Sequence, residues 1–322
     1  MLKLIYRYFK EKAKKNYTKK IDALINLLEI EEGISLLDVG AAGDIHQRFK
    51  FIEKHLNYYG FEPDKRSREE LLKQKNNCKS YFLYDKIVSN NNDDVILNLC
   101  KAPMTSSILK PNYDFLNLFD DKERVKIVKE IKFKPTTIDE LNIKQIDFIK
   151  MDIQGAELMA IEGAESSLEK VLGLELELEF LEIYKSQPLF GEITQHLHNK
   201  GFEFYDFVRL TRWDRDNIYN EMGQCTWGDG LFLRTPEYII ENYLNNNKVL
   251  KRYIIICLLY KKFDLIHKII YSVDNNKIVP DSFTYQFNKL RRKSVKSKLF
   301  RRRFVEFLNI FGYQNEGAFI FD

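Results

Sequence analysis

The sequence lacks paired cysteines. Its four, Cys78, Cys100, Cys225 and Cys257, lie far apart, and none forms a C-x-x-C pair. That argues against zinc and dithiol redox motifs and against a disulfide scaffold, and it fits a reducing, cytoplasmic compartment. Histidine is scarce, at five residues, and His196 and His198 stand two apart, on different faces of a helix. Long apolar runs are missing too. The longest, Tyr253 to Tyr260 (YIIICLLY), has eight residues between Lys251–Arg252 and Lys261–Lys262, against the roughly twenty needed to span a bilayer. The opening MLKLIYRYFKEKAKKNY has no apolar core of signal-peptide length. No internal repeat and no long low-complexity segment interrupts the chain.

What is present is a 322-residue chain, 44% hydrophobic, with enough apolar material for one large core. Its net charge of +4 conceals an asymmetry: residues 1–20 balance to +7 and residues 285–304 to +9, which leaves −12 on the rest. Basic ends on an acidic body suit either solvated helical faces or peripheral contact with an anionic partner, such as the inner membrane surface.

Between residues 34 and 235, strand-like and helix-like stretches alternate. ISLLDV (Ile34–Val39) and LNYYGFE (Leu56–Glu62) read as strands, with a helical stripe from Ile45 through Phe49, Ile52 and Leu56. Pro63 to Lys75 reads as a helix, and KSYFLYDKIVS and DVILNLC as strands around the asparagine turn Ser89–Asp94. QIDFIKMD (Gln145–Asp152) is a buried strand before a helix carrying Leu158, Ile161 and Leu168. GLELELEF, FEFYDFVRL and DGLFLRT complete the strands, with a helix over residues 192–200. The alternation predicts an α/β fold, a mostly parallel sheet with one antiparallel edge strand. Three regions are expected: a basic helical segment over 1–33, the α/β domain over 34–236, and a basic helical C-terminal extension over 237–322.

In open α/β sheets a ligand sits beyond the carboxyl ends of the strands, near the first β–α turn. Gly40 and Gly43 occupy that turn here, and Glu62 closes the second strand 22 residues after Gly40, a spacing that suits a carboxylate gripping ribose hydroxyls. A dinucleotide would call for G-x-G-x-x-G, but positions 42 and 45 are Ala and Ile, and Asp38 and Asp44 flank the turn. Two carboxylates repel a pyrophosphate. S-adenosylmethionine has a ribose, an ammonium and a sulfonium and no phosphate, so it is the expected cofactor.

The ordered motifs LLDVGAAGD, YGFEPD, TSSIL, TTIDEL, IDFIKMDIQGAELMAIEGA, EIYKSQPLFGEI and GQCTWGDGLFLR resemble those of FkbM-type S-adenosylmethionine-dependent methyltransferases. The resemblance covers residues 34–235. It implies a Rossmann-like class I methyltransferase fold and methylation of an oxygen, on a glycan or small metabolite. Asp38, Gly40 and Glu62 carry over as cofactor contacts, with Gly43 in the same turn. Ser106 and Ser107 fall in the serine motif and line the pocket, and Asp85, ending the third strand, faces adenine. The sequence departs from the pattern at Ala42 and Gly43, in a loop often richer in glycine, and at Gln154, where an acid is common.

Methyl transfer needs alignment of nucleophile and methyl group, and a base for a hydroxyl proton. Asp152, at the end of FIKMD, is the first candidate for base or orienting acceptor, and Gly155 lets the following turn pass close to a ligand. Glu157 fits either the site or a helix dipole. Glu175, Glu177 and Glu179 share one face of a strand, and Glu179, nearest the carboxyl end, is the second catalytic candidate, the alternative being a solvated or ion-paired face. Tyr184 and Gln187 are candidate substrate contacts. No metal is expected, because position 154 is an amide. Nucleic acid is not the expected partner: MDIQG is not the Asn/Asp-Pro-Pro-aromatic motif, and the basic runs lack a stacking pattern of aromatics. A non-catalytic or surface-binding protein on the same fold is the remaining alternative.

Overall fold

The computed structural model describes residues 17–50, 52–215, 223–272 and 278–310. The basic stretch 1–16 and residues 216–222 and 311–322 lie outside the described residues.

Chain order begins with α1 (17–26), followed by β1 (Ile34–Val39), α2 (Gln47–Lys50), β2 (Leu56–Phe61), α3 (Lys65–Lys73), β3 (Ser80–Tyr84) and β4 (Val95–Cys100). Then come α4 (Tyr113–Leu116), β5 (Ile127–Phe133), β6 (Phe148–Met151), α5 (Glu157–Glu162), α6 (Glu165–Leu168) and β7 (Gly173–Glu179). The remainder is α7 (Phe190–Asn199), β8 (Glu203–Trp213), β9 (Gln224–Leu233), α8 (Pro236–Tyr243), α9 (Asn247–Leu259), α10 (Phe263–Ser272) and α11 (Asp281–Ile310).

Seven strands form one sheet in the order β3-β2-β1-β6-β7-β9-β8. Every pairing from β3 to β7 is parallel, and β9 runs antiparallel to both β7 and β8. The antiparallel edge expected from the sequence is thus a hairpin whose second strand inserts next to β7 and leaves β8 outermost. Such insertion needs the β7–β8 connection, which carries α7, to pass over one strand position.

Strand alternation sorts the core onto two faces. Ile34 and Leu36 point to one, with Phe148, Leu231 and Leu233, where α1, α9, α10 and the start of α11 pack. Leu37 and Val39 point to the other, with Ile149, Met151, Leu174, Leu176 and Leu178, covered by α5, α6 and α7. Helix α9 is buried almost all round, from Leu250 to Leu259, so its apolar run lies against the sheet. Asn246 caps it, accepting from Val249 N at 3.3 Å, and Thr235 caps α8 ahead of Pro236.

β3 lies on β2, while β4 pairs antiparallel with β5 in a separate two-stranded sheet. Two local expectations are corrected. The stripe from Ile45 to Leu56 is no single helix: α2 has four residues, a 3-10 turn follows, and Leu56 already belongs to β2. The helix after β6 breaks at Gly163 into α5 and α6.

Candidate active site

The carboxyl ends of β1, β2 and β6 open into a cleft. Its floor is Gly40, Asp152, Ile153 and Gln154; one wall carries Glu62 and Asp64, and another Ile87 and Val88. The roof comes from the segment that follows β4, through Met104, Ser106, Ser107 and Ile108.

Gly40 shows why the first turn takes the shape it does. Its φ is +81°, and a Cβ there would lie 1.9 Å from the Asp152 carbonyl oxygen. The β1 turn and the end of β6 can meet only at a residue without a side chain. Gly40 and Ala41 both donate to the Phe61 carbonyl, and Asp152 N donates to the Val39 carbonyl, each at 3.0 Å, so three strand ends are tied together.

Glu62 lies in the wall, 5% exposed, with Oε1 accepting from Asp64 N at 2.8 Å. Burial pushes its carboxyl up to about 7. A buried acid that ionises near neutral pH gains from any ligand bringing hydroxyl donors to it. Asp64 in turn caps α3 and pairs with Arg66. The apolar side chains of Phe61, Ile87, Val88 and Ile108 offer a slot for a flat ring.

The structure brings Gly40, Glu62, Ser106, Ser107 and Asp152 together in this cleft and places three predicted contacts elsewhere. Asp38 is buried on the opposite side of β1, because alternation sends it to the Ile34–Leu36 face. Its carboxylate accepts from the Tyr58 hydroxyl at 2.8 Å and from Lys150 Nζ at 3.2 Å. Asp38, Lys150 and Glu175 are cross-strand neighbours on β1, β6 and β7, a buried row of alternating sign. Lys150, the lone charge inside FIKM, was the signal that Asp38 had an internal partner. Gly43 does not line the cleft: nothing lies within 4 Å of where its Cβ would be, and its carbonyl accepts from Gln74 Nε2. Asp85 follows β3 but turns outward; its side chain is 71% exposed and sits 3.7 Å from Arg68. Lys86, Ile87 and Val88 line the cleft there instead.

The two serines act mainly on the roof. Ser107 Oγ donates to the Gln154 carbonyl at 2.8 Å and accepts from Leu109 N at 3.0 Å, while Ser106 Oγ accepts from Cys100 N at 3.1 Å.

Behind the floor lies a group of buried acids. Glu175, Glu177 and Glu179 are all buried, so the solvated face allowed for β7 is not what forms. Glu175 lies 3.5 Å from Arg48 and accepts from the Tyr260 hydroxyl. Glu177 accepts from Gln154 Nε2. Glu179 Oε2 and Glu157 Oε2 have no hydrogen-bond partner. Burial pushes Glu177 and Glu179 well above the usual carboxylate range, and Glu157 and Asp229 up to about 7. Glu179 does not line the cleft, and Tyr184 is 1% exposed, its hydroxyl shared between Gln154 Oε1 at 2.8 Å and the Thr105 carbonyl at 2.9 Å. Gln187 folds back to accept from Tyr184 N. Among the described residues no group of three or more His, Cys, Asp or Glu is placed to hold a metal ion.

The sheet order, with β9 reversed between β7 and β8 and a cleft at the first β–α turn, defines a class I methyltransferase fold. The Methyltransferase FkbM domain matches residues 38–204, more than half of the chain, and the chain belongs to that family. No protein of curated function matches the sequence. Among solved structures the chain is similar to the methyltransferase FkbM from Methylobacillus flagellatus KT, at 16% identity and a TM-score of 0.37, over 63% of this chain and 44% of that one. It is also similar to magnesium protoporphyrin IX methyltransferase (ChlM) from Synechocystis PCC 6803 with bound SAM, at 10% identity and a TM-score of 0.33, over 70% of this chain and 83% of that one. A third likeness is to the 23S rRNA methyltransferase ErmE, at 10% identity and a TM-score of 0.29, over 85% and 97%. The chain thus spans less than half the length of the Methylobacillus protein.

Proposed function

We propose that the protein is an S-adenosylmethionine-dependent O-methyltransferase that acts on a hydroxyl of a glycan or small metabolite. The observation that carries this reading is the cleft itself, in which a side-chain-free turn at Gly40 faces the buried carboxylate of Glu62. Glu62 would accept from the ribose hydroxyls, the apolar slot between Phe61, Ile87, Val88 and Ile108 would take the adenine, and the Gly40 turn would admit the amino-acid end close to backbone. The cofactor supplies an electrophilic methyl group on a positively charged sulfur. Asp152 lines the cleft floor and would orient the acceptor hydroxyl and take its proton as the oxygen–methyl bond forms. Glu179 lies behind that floor and supports this reading only as a neighbour of the buried acids.

Titration calorimetry with S-adenosylmethionine is the test. Losing a charged hydrogen-bond acceptor of this kind costs about 1.5–3 kcal/mol, so Glu62→Ala should weaken binding roughly tenfold to a hundredfold. Because the free carboxyl ionises near pH 7 and ribose hydroxyls favour its charged form, affinity should rise as pH rises from 6 to 8. Absence of measurable binding by the unmodified protein would sink the assignment. Labelled methyl donor incubated with extracts of glycans and small metabolites then identifies the acceptor.

The basic face of α11 has a separate reading, as a peripheral contact for an anionic membrane surface. Tyr285, Lys289, Arg292, Lys293 and Lys296 line one groove there, and no helix of the described residues is long and apolar enough to cross a membrane.

A further inference from the structure

Gln154 lies in the turn after β6, outside any helix or strand. Its φ of +59° is a left-handed conformation that disfavours a residue with a side chain, and Gly155 continues the turn at +93°. A sparsely populated backbone persists where its surroundings over-determine it, and four hydrogen bonds do so here. The carboxamide Nε2 has two hydrogens. One goes to Asp152 Oδ1 at 2.9 Å and the other to Glu177 Oε2. Oε1 accepts from the Tyr184 hydroxyl at 2.8 Å, and the main-chain carbonyl accepts from Ser107 Oγ at 2.8 Å. The opposite amide orientation would set Oε1 against two carboxylates, so the chemistry of the neighbours fixes which atom is nitrogen. The end of β6, the strand β7, the loop after it and the roof all meet on this one residue.

We propose that Gln154 is a positioning residue for methyl transfer, its amide holding the Asp152 carboxylate at the cleft floor and separating it from Glu177. The proposal rests on reading the cleft as the S-adenosylmethionine site with Asp152 at the reacting end. The charged and titratable groups whose fields reach Asp152 are Glu177 and Glu179 of β7, Glu157 of α5, Asp229 of β9, Lys150 of β6 and the Tyr184 phenol. Lys150 is the cation in that set, and its hydrogen bond goes to Asp38. An amide that donates to both Asp152 and Glu177 is what lets two acids share this space with little charge compensation. A glutamate in its place would add a third carboxylate, and a leucine would remove both donors.

S-adenosylmethionine and S-adenosylhomocysteine share every group that Glu62 and the adenine slot would touch, and differ by the methyl and the positive charge on sulfur. The ratio of their affinities therefore reports the acids near the reacting end and cancels the titration of Glu62. It should be measured by calorimetry from pH 5.5 to 8.5 for the unmodified protein, for the isosteric Gln154→Glu and for Gln154→Leu, with circular dichroism as the check on folding. In the unmodified protein the ratio should rise with pH as the carboxylates charge. In either variant that folds, the rise should move to higher pH by about one unit, which is about a tenfold lower ratio at a fixed pH on the slope. A purely architectural role would weaken both ligands equally. Ratio curves that superimpose on those of the unmodified protein, in a folded variant that binds both ligands, overturn the proposal and leave the cofactor reading standing. Failure of the unmodified protein to bind either ligand overturns the cofactor reading first, and the role of Gln154 with it.

Discussion

Glu157 illustrates how a single buried acid can set the pH response of the fold. It is fully buried at the start of α5, with Oε1 accepting from Ile153 N at 2.8 Å and Oε2 without a partner. Burial pushes its carboxyl from about 4.5 in an unfolded chain to about 7 in the folded one. The folded state therefore holds this proton more tightly. The stability it brings is complete below the unfolded value and is lost as pH rises through about 7. Replacing it by an amide removes that loss, so Glu157→Gln should melt higher than the unmodified protein at pH 8, by on the order of 2 kcal/mol, and nearly equal to it at pH 5. Thermal unfolding at the two pH values checks this. No such reading was available from the sequence, where a glutamate in the first turn of a helix suits the helix dipole equally well. What separates the two is its burial beside Glu177 and Glu179 of β7, which is a long-range fact.

Arg234 does comparable work at the scale of elements. It ends β9, 4% exposed, and its guanidinium donates to the carbonyls of Leu168 at 2.8 Å and Val171 at 3.4 Å, and to that of Lys200. Leu168 ends α6, Lys200 caps the C-terminal end of α7, where the carbonyls carry partial negative charge, and Val171 lies in the link to β7. The same plane lies 3.8 Å from the Phe202 ring centre and 4.4 Å from that of Tyr238. A lysine has one point charge and no plane, so Arg234→Lys should lose roughly 2–4 kcal/mol, close to the loss in Arg234→Ala, read as a fall in denaturation midpoint. The strands themselves were largely legible, because β1 and β6 are short, mainly apolar runs between turn residues and β7 alternates leucine with glutamate. β5 was not. Its IVKEIKF alternates weakly, carries three charges and is mostly solvent-facing, so neither the strand nor its pairing with β4 was legible. In the cleft, Gly40, Glu62 and Asp152 were legible from position along strands alone. Asp38 was misplaced because the acid was judged by its nearness to the turn, when the alternation of β1 had already turned it to the other face.

At the scale of the whole molecule, charge and core are arranged in opposite senses. The core gathers residues from both halves of the chain, Ile21, Leu24 and Ile25 of α1 meeting α9, Phe283 and Phe287 of α11 on one sheet face. The basic residues that line the α11 groove lie outside it, beside Tyr285, which is 69% exposed. If that surface meets anionic lipid, the protein should co-sediment with phosphatidylserine vesicles at low salt and release as salt screens the contact. Charge reversal at Lys289, Arg292 and Lys293 should then cut partitioning by on the order of a hundredfold, at about 1 kcal/mol per residue; unchanged sedimentation would refute the contact. The reversed strand β9 has a consequence for handling the molecule. The stretch that matches the family ends at residue 204, just inside β8, whereas β9 pairs with β7 through seven residues, Gly173 to Glu179. A fragment trimmed to the match would leave β7 with a bare ladder of peptide groups and an uncovered greasy face, a template for aggregation and no usable domain.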